Sequence, residues 1–161
     1  MLNNALMGTG KAARRIAWEG ERLRWRLFHP VTVGARIILL REDQVLLIEH
    51  TYQSGWFLPG GGVDKGESLE ECVRREAEEE AGARVHGVEL VGIYSNFEQG
   101  KTDHMAIFVS QEFDFSPPKP GTEIARYAWF ATGALPGDLW PGTERRIAEA
   151  LAGERGKAGR W

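Results

Sequence analysis

One helical segment, residues 68–81, constrains this chain more than any other, because acidic side chains share its apolar face. The segment is rich in strong helix formers, with a serine able to cap its start and Gly82 able to end it. At about 100° per residue, one face carries first Leu69, Cys72 and Val73 and then Glu76, Glu79 and Glu80. The sequence therefore predicts a helix that turns three carboxylates toward the protein interior.

Carboxylates placed together at a core position create an electrostatic conflict. They would repel one another and lose hydration unless a cation lay among them. A salt-bridged surface is the ordinary explanation for a glutamate-rich helix, and it accounts for the acids of the opposite face, Glu70, Glu71 and Glu78. It does not account for the inward acids. Their oxygens are the hard ligands that Mg²⁺ prefers and that Mn²⁺ also accepts, so the pattern predicts a divalent metal site.

Length and composition narrow the class of protein. A chain of 161 residues suits one domain, and a net charge of −3 disfavours a stable nucleic-acid partner held by a basic surface. The single cysteine excludes an intramolecular disulfide framework and a multi-cysteine zinc site. No apolar run approaches the ~20 residues of a membrane span, and we find no secretory leader pattern. We therefore expect no membrane association and a cytoplasmic location.

Alternating apolar runs and turn residues predict a set of strands. A tight polar turn joins the first two as a hairpin. The predicted strands are 31–40, 45–50, 56–58, 88–94, 105–115 and 126–131. A closing helix is predicted at 143–151 with Thr143 as its cap. Such strands with only two or three helices indicate a mixed sheet covered by helices, an α+β arrangement. We assign 1–29 to an N-terminal helix or arm packed on a single domain at 30–161.

A run of glycines, Gly60-Gly61-Gly62, separates the predicted hairpin from the acidic helix. Backbone without side chains can approach a ligand closely and can present a carbonyl to an ion. The spacing fits neither the phosphate-binding P-loop nor the Rossmann fingerprint, because the required lysine and glycine positions are absent. The run is thus a candidate second wall of the metal site.

Glycine, helix and charges together resemble the Nudix box. Gly61, five residues, Glu67, seven residues and then Arg75-Glu76-Ala77-Glu78-Glu79-Glu80-Ala81-Gly82-Ala83 match that pattern over residues 61–83. Two positions usually held by larger aliphatic residues are alanines here, Ala77 and Ala83. The resemblance implies an α/β/α sandwich with a mixed sheet. It also implies a Mg²⁺-dependent hydrolase that cleaves the pyrophosphate bond of a nucleoside diphosphate linked to another moiety.

The resemblance also implies roles for individual residues. The Gly60 carbonyl would help the three glutamates, Glu76, Glu79 and Glu80, to hold the metal. One of those glutamates, or one from a later loop, would act as base for the attacking water. Glu67 and Arg75 would orient the loop through an ion pair.

Outside the box, the candidates are weaker. Glu98 and Glu123 lie in loops that could return over the helix. Their side chains could then serve as a substrate contact, an extra metal ligand or a base; the alternative is that both are ordinary surface acids. Trp56 could stack on a base or pack in the core, while Lys101 and His104 could contact phosphate or lie at a sheet edge. The other histidines, His29, His50 and His86, are too scattered to be assigned as ligands.

The substrate class expected is a small nucleotide-like diphosphate: a nucleoside triphosphate, a nucleotide sugar or a dinucleotide. Loops 95–104 and 116–123 would select among them. Two alternatives remain, a non-catalytic nucleotide-sensing or partner-binding module on the same fold, and a structural helix with incidental acids. A homodimer is possible through the aromatic N-terminal segment, which contains Trp18, Trp25 and Phe28.

Overall fold

A computed structural model of the chain describes residues 16–20, 23–24, 27–118 and 123–161. The strands are β1 (Val31–Arg41), β2 (Gln44–His50), β3 (Gly60–Gly62), β4 (Ala83–Val85), β5 (Glu89–Asn96), β6 (Thr102–Ser110), β7 (Phe113–Phe115), β8 (Ile124–Ala131) and β9 (Lys157–Arg160). The two main helices are α1 (Leu69–Ala81) and α2 (Thr143–Leu151). A 3-10 turn spans Glu98–Gly100. These elements confirm the predicted α+β class.

The main sheet is mixed, as predicted. Its order is β8-β2-β1-β6-β5-β9, with β3 also paired to β1. The β1–β6 and β5–β9 pairs are parallel, and the remaining pairs of this sheet are antiparallel. A separate two-stranded sheet joins β4 to β7. The central strand β1 therefore carries the glycine strand β3 directly beside it.

Both faces of the sheet are buried, which explains the nearly continuous apolar run of β1. Ile37 and Leu39 belong to the core on the α1 side, whereas Ile38 and Leu40 belong to the core on the α2 side. Successive side chains of a strand point to opposite faces, so a run without polar alternation needs a helix layer on each side. This layering places α1 on one face of β1, where the helix also contacts the glycine strand.

Local interactions set the ends of α1. Ser68 Oγ accepts a hydrogen bond from the Glu71 N–H at 3.2 Å, and Glu71 Oε2 accepts one from the Ser68 N–H at 2.8 Å. This reciprocal pair is a capping box. At the other end Gly82 adopts a left-handed conformation with φ 63°, and a Cβ there would collide with Ser116 O. The predicted helix, with its cap and its stop, is confirmed.

The prediction of Thr143 as the cap of α2 is wrong. Gly142 occupies the N-cap position, and no side chain bonds the first turn. Thr143 is buried, and its Oγ1 has no hydrogen-bond partner. The threonine side chain packs inward and is therefore unable to return to the helix start.

Two predicted strands differ from the observed ones. The predicted 105–115 strand is divided where Ser110 Oγ accepts a hydrogen bond from the Glu112 N–H at 3.2 Å, which turns the chain out of the main sheet. β6 ends there, and β7 pairs with β4 instead. The predicted 56–58 strand forms only isolated bridges, Ile48 to Phe57 and Trp56 to Leu139.

The predicted N-terminal arm lies partly outside the described residues, which omit 1–15, 21–22 and 25–26 and with them Trp25. Residues 16–20, 23–24 and 27–28 are helical. The Trp18 ring lies 5.4 Å from the Tyr52 ring, so this segment contacts the domain beside the glycine strand. In the described part of the chain, no helix combines the length and apolarity that a bilayer span requires.

Candidate active site

A cleft of about 930 Å³ opens between α1 and β8. One wall carries residues of the box and of the glycine strand: Gly60, Gly61, Arg75, Glu76, Glu79 and Glu80. The opposite wall carries Glu123, Arg126 and Tyr127. Every residue predicted as a metal ligand therefore borders one cavity.

Glu80 is the most buried acid of this cleft, with 8 % of its surface exposed. Its Oε2 accepts a hydrogen bond from the Gly60 N–H at 2.8 Å. Burial raises the pKa of Glu80 to about 8, although the Gly60 hydrogen bond opposes that rise. An acid held this way in a cleft that also contains Glu76 fits a bound cation, because a nearby positive charge would restore its ionised form.

Glu76 is also largely enclosed. Burial raises the pKa of its carboxyl, and the hydrogen bond from Arg75 acts in the opposite direction. Arg75 Nη1 donates that bond to Glu76 Oε1 at 2.7 Å. A Cβ at Gly61 would collide with the same oxygen, so the glycine provides the space that this carboxylate fills. A residue with a side chain at position 61 would therefore displace the Glu76 carboxylate from its observed position.

Glu79 differs from the other two glutamates, because 62 % of its side chain is exposed. The expectation of three inward acids therefore holds for two of them. Glu79 lies roughly 120° around the helix from the centre of the face formed by the buried residues of α1. It stands at the mouth of the cleft, where Arg75 Nη1 is 3.4 Å from its Oε2.

The three box glutamates border one cleft, but their carboxylates are not close enough together to form a ready metal site. Among the residues that the structure describes, no three His, Cys, Asp or Glu side chains already stand at ion-binding separations. The fit to a metal rests instead on the donor chemistry: two enclosed carboxylates, Glu76 and Glu80, beside backbone that lacks side chains. The exposed Glu79 borders the same cleft.

Arg75 links the box loop to the helix. Its Nε and Nη2 donate to Glu67 Oε1 at 2.8 Å and to Glu67 Oε2 at 3.0 Å, which is a two-point pair. The Arg75 hydrogen bond lowers the pKa of Glu67 to about 2. Glu67 Oε2 also accepts a hydrogen bond from the Asp64 N–H at 2.9 Å. The ion pair that the resemblance implied is present, and it ties residues 64–67 to the helix that carries the acids.

The only cysteine of the chain, Cys72, lies beneath the same loop. Its side chain is fully buried, and Sγ is 3.5 Å from the Gly62 carbonyl. Burial raises the pKa of the Cys72 thiol to about 11, and the nearby Glu67 charge adds to the rise. The thiol is therefore protonated and packed as a small core residue.

A second cavity, of about 310 Å³, lies beside the first and shares Tyr52 and the glycine strand with it. Its wall includes Lys101, whose Nζ is 2.9 Å from Asp103 Oδ2. Trp18 and His50 also line this cavity. Lys101 is thus the substrate candidate outside the box that reaches a cavity next to the predicted metal site.

The structure does not bring the remaining substrate candidates to either cavity. Trp56 is 6 % exposed and packs edge-on against Phe130 at 4.8 Å, so it belongs to the core. His104 lies in β6, where Nδ1 is 2.9 Å from Ser95 Oγ of the paired strand. Glu98 is exposed in the 3-10 turn. β5 and β6 extend into the region predicted as a loop, and this extension places the histidine within the sheet.

His50 is a site residue that the sequence reasoning missed. It is buried at the end of β2, with Nδ1 3.8 Å from Glu80 Oε1. Burial and the charge of Arg36 lower its pKa to about 4. The alternation of side chains along β2 could have revealed this position. Leu46 faces the α1 layer, and His50, four residues later, points to the same face.

Residues 30–151 match the family model of the NUDIX domain. The chain belongs to the Nudix family. This Nudix protein is 35 % identical over 117 residues to a putative 8-oxo-dGTP diphosphatase of Bacillus subtilis, a match that covers 72 % of this chain and 77 % of that relative. It is 33 % identical over 121 residues to an NAD-capped RNA hydrolase NudC of Chromobacterium violaceum, covering 70 % of this chain and 43 % of that longer relative.

Solved structures agree with this assignment. A MutT NUDIX hydrolase from Burkholderia pseudomallei superposes with a TM-score of 0.67 at 26 % identity, over 74 % of this chain and 97 % of the other. The Nudix protein is therefore a hydrolase of the Nudix type. Members of this family generally use divalent metal ions and act on small nucleotide substrates.

We expect a Gly61→Ala substitution to damage the predicted metal site more than the fold. The new Cβ would collide with the end of the Glu76 side chain, which can rotate away, rather than with backbone. Mn²⁺ affinity and turnover should fall, while the unfolding temperature stays close to that of the wild type. Gly62→Ala is the matched control, because nothing lies within 4 Å of a Cβ there. Equal Mn²⁺ affinity in the two variants would contradict the steric argument.

Proposed function

We propose that this Nudix protein is a Mg²⁺-dependent hydrolase that cleaves the phosphoanhydride bond of a nucleoside diphosphate linked to another moiety. Nucleoside triphosphates, nucleotide sugars and dinucleotides belong to this class. The observation that carries the proposal is the cleft in which the enclosed carboxylates of Glu76 and Glu80 lie beside the glycine strand. Mn²⁺ is the alternative ion, since the same oxygen donors accept it.

In this proposal the box residues hold the ion and the chain positions them. Glu76, Glu79 and Glu80 provide carboxylate oxygens, and the Gly60 carbonyl is a further donor. When bound, the metal would neutralise charge on the diphosphate and lower the pKa of an attacking water. Arg75 restrains the Glu76 carboxylate through its 2.7 Å bond, and Glu67 in turn holds Arg75.

The far wall of the cleft offers a second set of contacts. Glu123 remains our candidate for an extra ligand or for the base that receives the water proton, because it lines the cavity opposite the box acids. Arg126 also borders the cavity, but its guanidinium pairs with Glu49 and lies over the Trp56 ring at 4.8 Å, so we assign no phosphate contact to it. Lys101 is the candidate for a phosphate contact in the second cavity.

The names of the relatives support a nucleotide substrate without selecting one. One relative is named for 8-oxo-dGTP and another for NAD-capped RNA. The chain matches 43 % of the second relative, so we do not transfer that protein's substrate. Part of the loop that would select the substrate, residues 119–122, lies outside the described residues.

The competing function is a nucleotide-sensing or partner-binding module that has lost turnover. The complete set of box charges argues against it, because Glu67, Arg75 and the glutamates at positions 76, 79 and 80 are all present. The Arg75 contacts to Glu67 and Glu76 also support a site maintained for ion binding. A sensing module would bind nucleotides without releasing product, which a product assay distinguishes.

Metal removal is the direct test. We expect purified protein with Mg²⁺ to hydrolyse at least one member of a panel of nucleoside triphosphates and nucleoside diphosphate derivatives. Product release should stop on chelation and return when Mg²⁺ is restored. Glu79→Gln should lower turnover because it removes an oxygen charge at the mouth of the cleft. Glu78→Gln, on the exposed face of α1, should not. Full turnover in chelator, or in Glu79→Gln, would disprove the proposal.

We further propose that residues 30–161 form one catalytic domain and that residues 1–29 form an arm packed on it. The contact of Trp18 with Tyr52 supports this packing.

Several apolar side chains of the helical N-terminal residues stay exposed, namely Ile16, Leu23, Leu27 and Phe28. A homodimer and a cytoplasmic location stay predictions.

A further inference from the structure

We propose that His50 is a positioning residue for the metal site: its Nδ1–H donates a hydrogen bond to Glu80 Oε1 and orients that carboxylate toward the ion. This inference rests on the proposed function, because it assigns Glu80 to the metal. It gives a role to a buried polar group that the Nudix box does not contain.

The first support is an unsatisfied atom. His50 is 7 % exposed, and its Nδ1 is a buried atom with no hydrogen-bond partner. Buried polar groups nearly always have a partner, because leaving one unpaired costs about 1–3 kcal/mol. Glu80 Oε1 faces this nitrogen across 3.8 Å. A hydrogen bond at about 3.0 Å requires an approach of under 1 Å, which a small rotation of the glutamate side chain supplies.

The second support is the fixed direction of the imidazole ring. Tyr52 stacks on it with ring centroids 5.0 Å apart and planes inclined by 24°. Phe57 packs against it at 5.2 Å. Two aromatic neighbours restrict ring rotation, so the Nδ1 edge stays directed at the carboxylate. A donor whose direction is fixed can orient an acceptor, whereas a freely rotating donor cannot.

The third support is the number of acceptor sites on Glu80. A carboxylate has about four lone-pair positions, and the Gly60 N–H occupies one on Oε2 at 2.8 Å. A donor on Oε1 would fix the carboxylate plane at a second point and would still leave about two positions for an ion. Metal-binding carboxylates are commonly held by such outer hydrogen bonds, and loss of one typically costs about 10–100-fold in metal affinity or activity.

Two substitutions separate this role from simple packing. His50→Phe keeps an aromatic ring for Tyr52 and Phe57 but removes the donor. His50→Asn loses the ring, and its amide nitrogen occupies the position of Nδ1. Free Mn²⁺ would be titrated with the intact protein, without substrate, by electron paramagnetic resonance. We expect His50→Phe to weaken Mn²⁺ binding by about 10–100-fold, and His50→Asn to bind nearly as well as the wild type.

The thermal unfolding temperature of both variants would show whether either substitution damages the fold. If His50 served only for packing, His50→Asn, which loses the ring, would bind Mn²⁺ more weakly than His50→Phe. His86→Asn, at a half-exposed histidine outside both cavities, should leave the Mn²⁺ affinity unchanged. Unchanged affinity in His50→Phe, or equal losses in both His50 variants, would overturn the inference. The proposed function would fail separately if the wild type bound no Mn²⁺, or if Glu80→Gln bound it equally well.

Discussion

Substitution of Glu80 by glutamine is expected to lower kcat/KM by about 100-fold or more. Loss of an outer hydrogen bond at a metal site already costs about 10–100-fold, so loss of a ligand charge should reach or exceed that range. Glutamine keeps the size of the side chain and can still accept the Gly60 hydrogen bond. The substitution therefore removes the charge and little else. Steady-state kinetics at saturating Mg²⁺, with Mn²⁺ binding measured in parallel, would test it.

The stability of this variant serves as its control. Burial raises the pKa of Glu80 to about 8 in the folded protein, from 4.5, the ordinary value of a glutamate carboxyl. The protonated Glu80 carboxyl contributes its full share to the free energy of unfolding below pH 4.5. This contribution is lost as the pH rises through 8. Without metal, Glu80→Gln should thus equal or exceed the wild type in unfolding temperature at pH 8. An unfolded variant would make its inactivity uninformative, whereas a stable and fully active variant would refute the role of Glu80.

Replacing Gly60 with alanine should destabilise the fold by about 3 kcal/mol or more. Gly60 has φ 144°, a region that alanine rarely adopts, and such strain costs about 1–3 kcal/mol. The new Cβ would also collide with Ala35 O and lie 2.6 Å from Arg36 Cα, both backbone atoms of β1. Overpacking of this kind costs about 1–3 kcal/mol. Chemical denaturation, with the midpoint and slope fitted together, measures the loss.

Gly66→Ala separates the two contributions. Gly66 also has positive φ, at 87°, but nothing lies within 4 Å of a Cβ placed there. This variant should show the strain without the collision and should lose less stability than Gly60→Ala. Equal losses in the two variants would show that the contact with β1 contributes nothing.

The acidic helix was predictable because its determinants are local. The capping box joins residues three positions apart, and Gly82 follows the last turn directly. Rotation at a fixed angle per residue then placed Glu76 and Glu80 on the buried side. The same rotation overestimated the burial of Glu79, since the width of a buried face depends on what packs against it.

Short strands with distant partners were not predictable. β3 pairs with β1, and β9 pairs with β5 across some sixty residues of chain. Strands of three or four residues contain too few positions for an alternation pattern, and their partners are absent from the local sequence. The burial of the Thr143 side chain likewise depends on tertiary packing rather than on capping preference.

The site was predictable where the box residues form it and unpredictable where other strands complete it. Sheet packing brings His50 Nδ1 to 3.8 Å from Glu80 Oε1, and thirty positions of sequence separate the two residues. Trp56 illustrates the opposite case, because a tryptophan beside a glycine run can stack on a ligand or fill the core. Its 6 % exposure decides for the core, and no property of the local sequence decides this.

The buried cysteine gives this molecule a built-in chemical probe of local opening. Cys72 is the single thiol of the chain, and it is covered by the Gly62 carbonyl and kept protonated by its surroundings. An alkylating reagent can modify it only after a local opening exposes the sulfur, and separation of the glycine strand from α1 is one such opening. The rate of modification therefore reports local openings next to the carboxylates, without any added label. A cation that bridges strand and helix would slow that reaction.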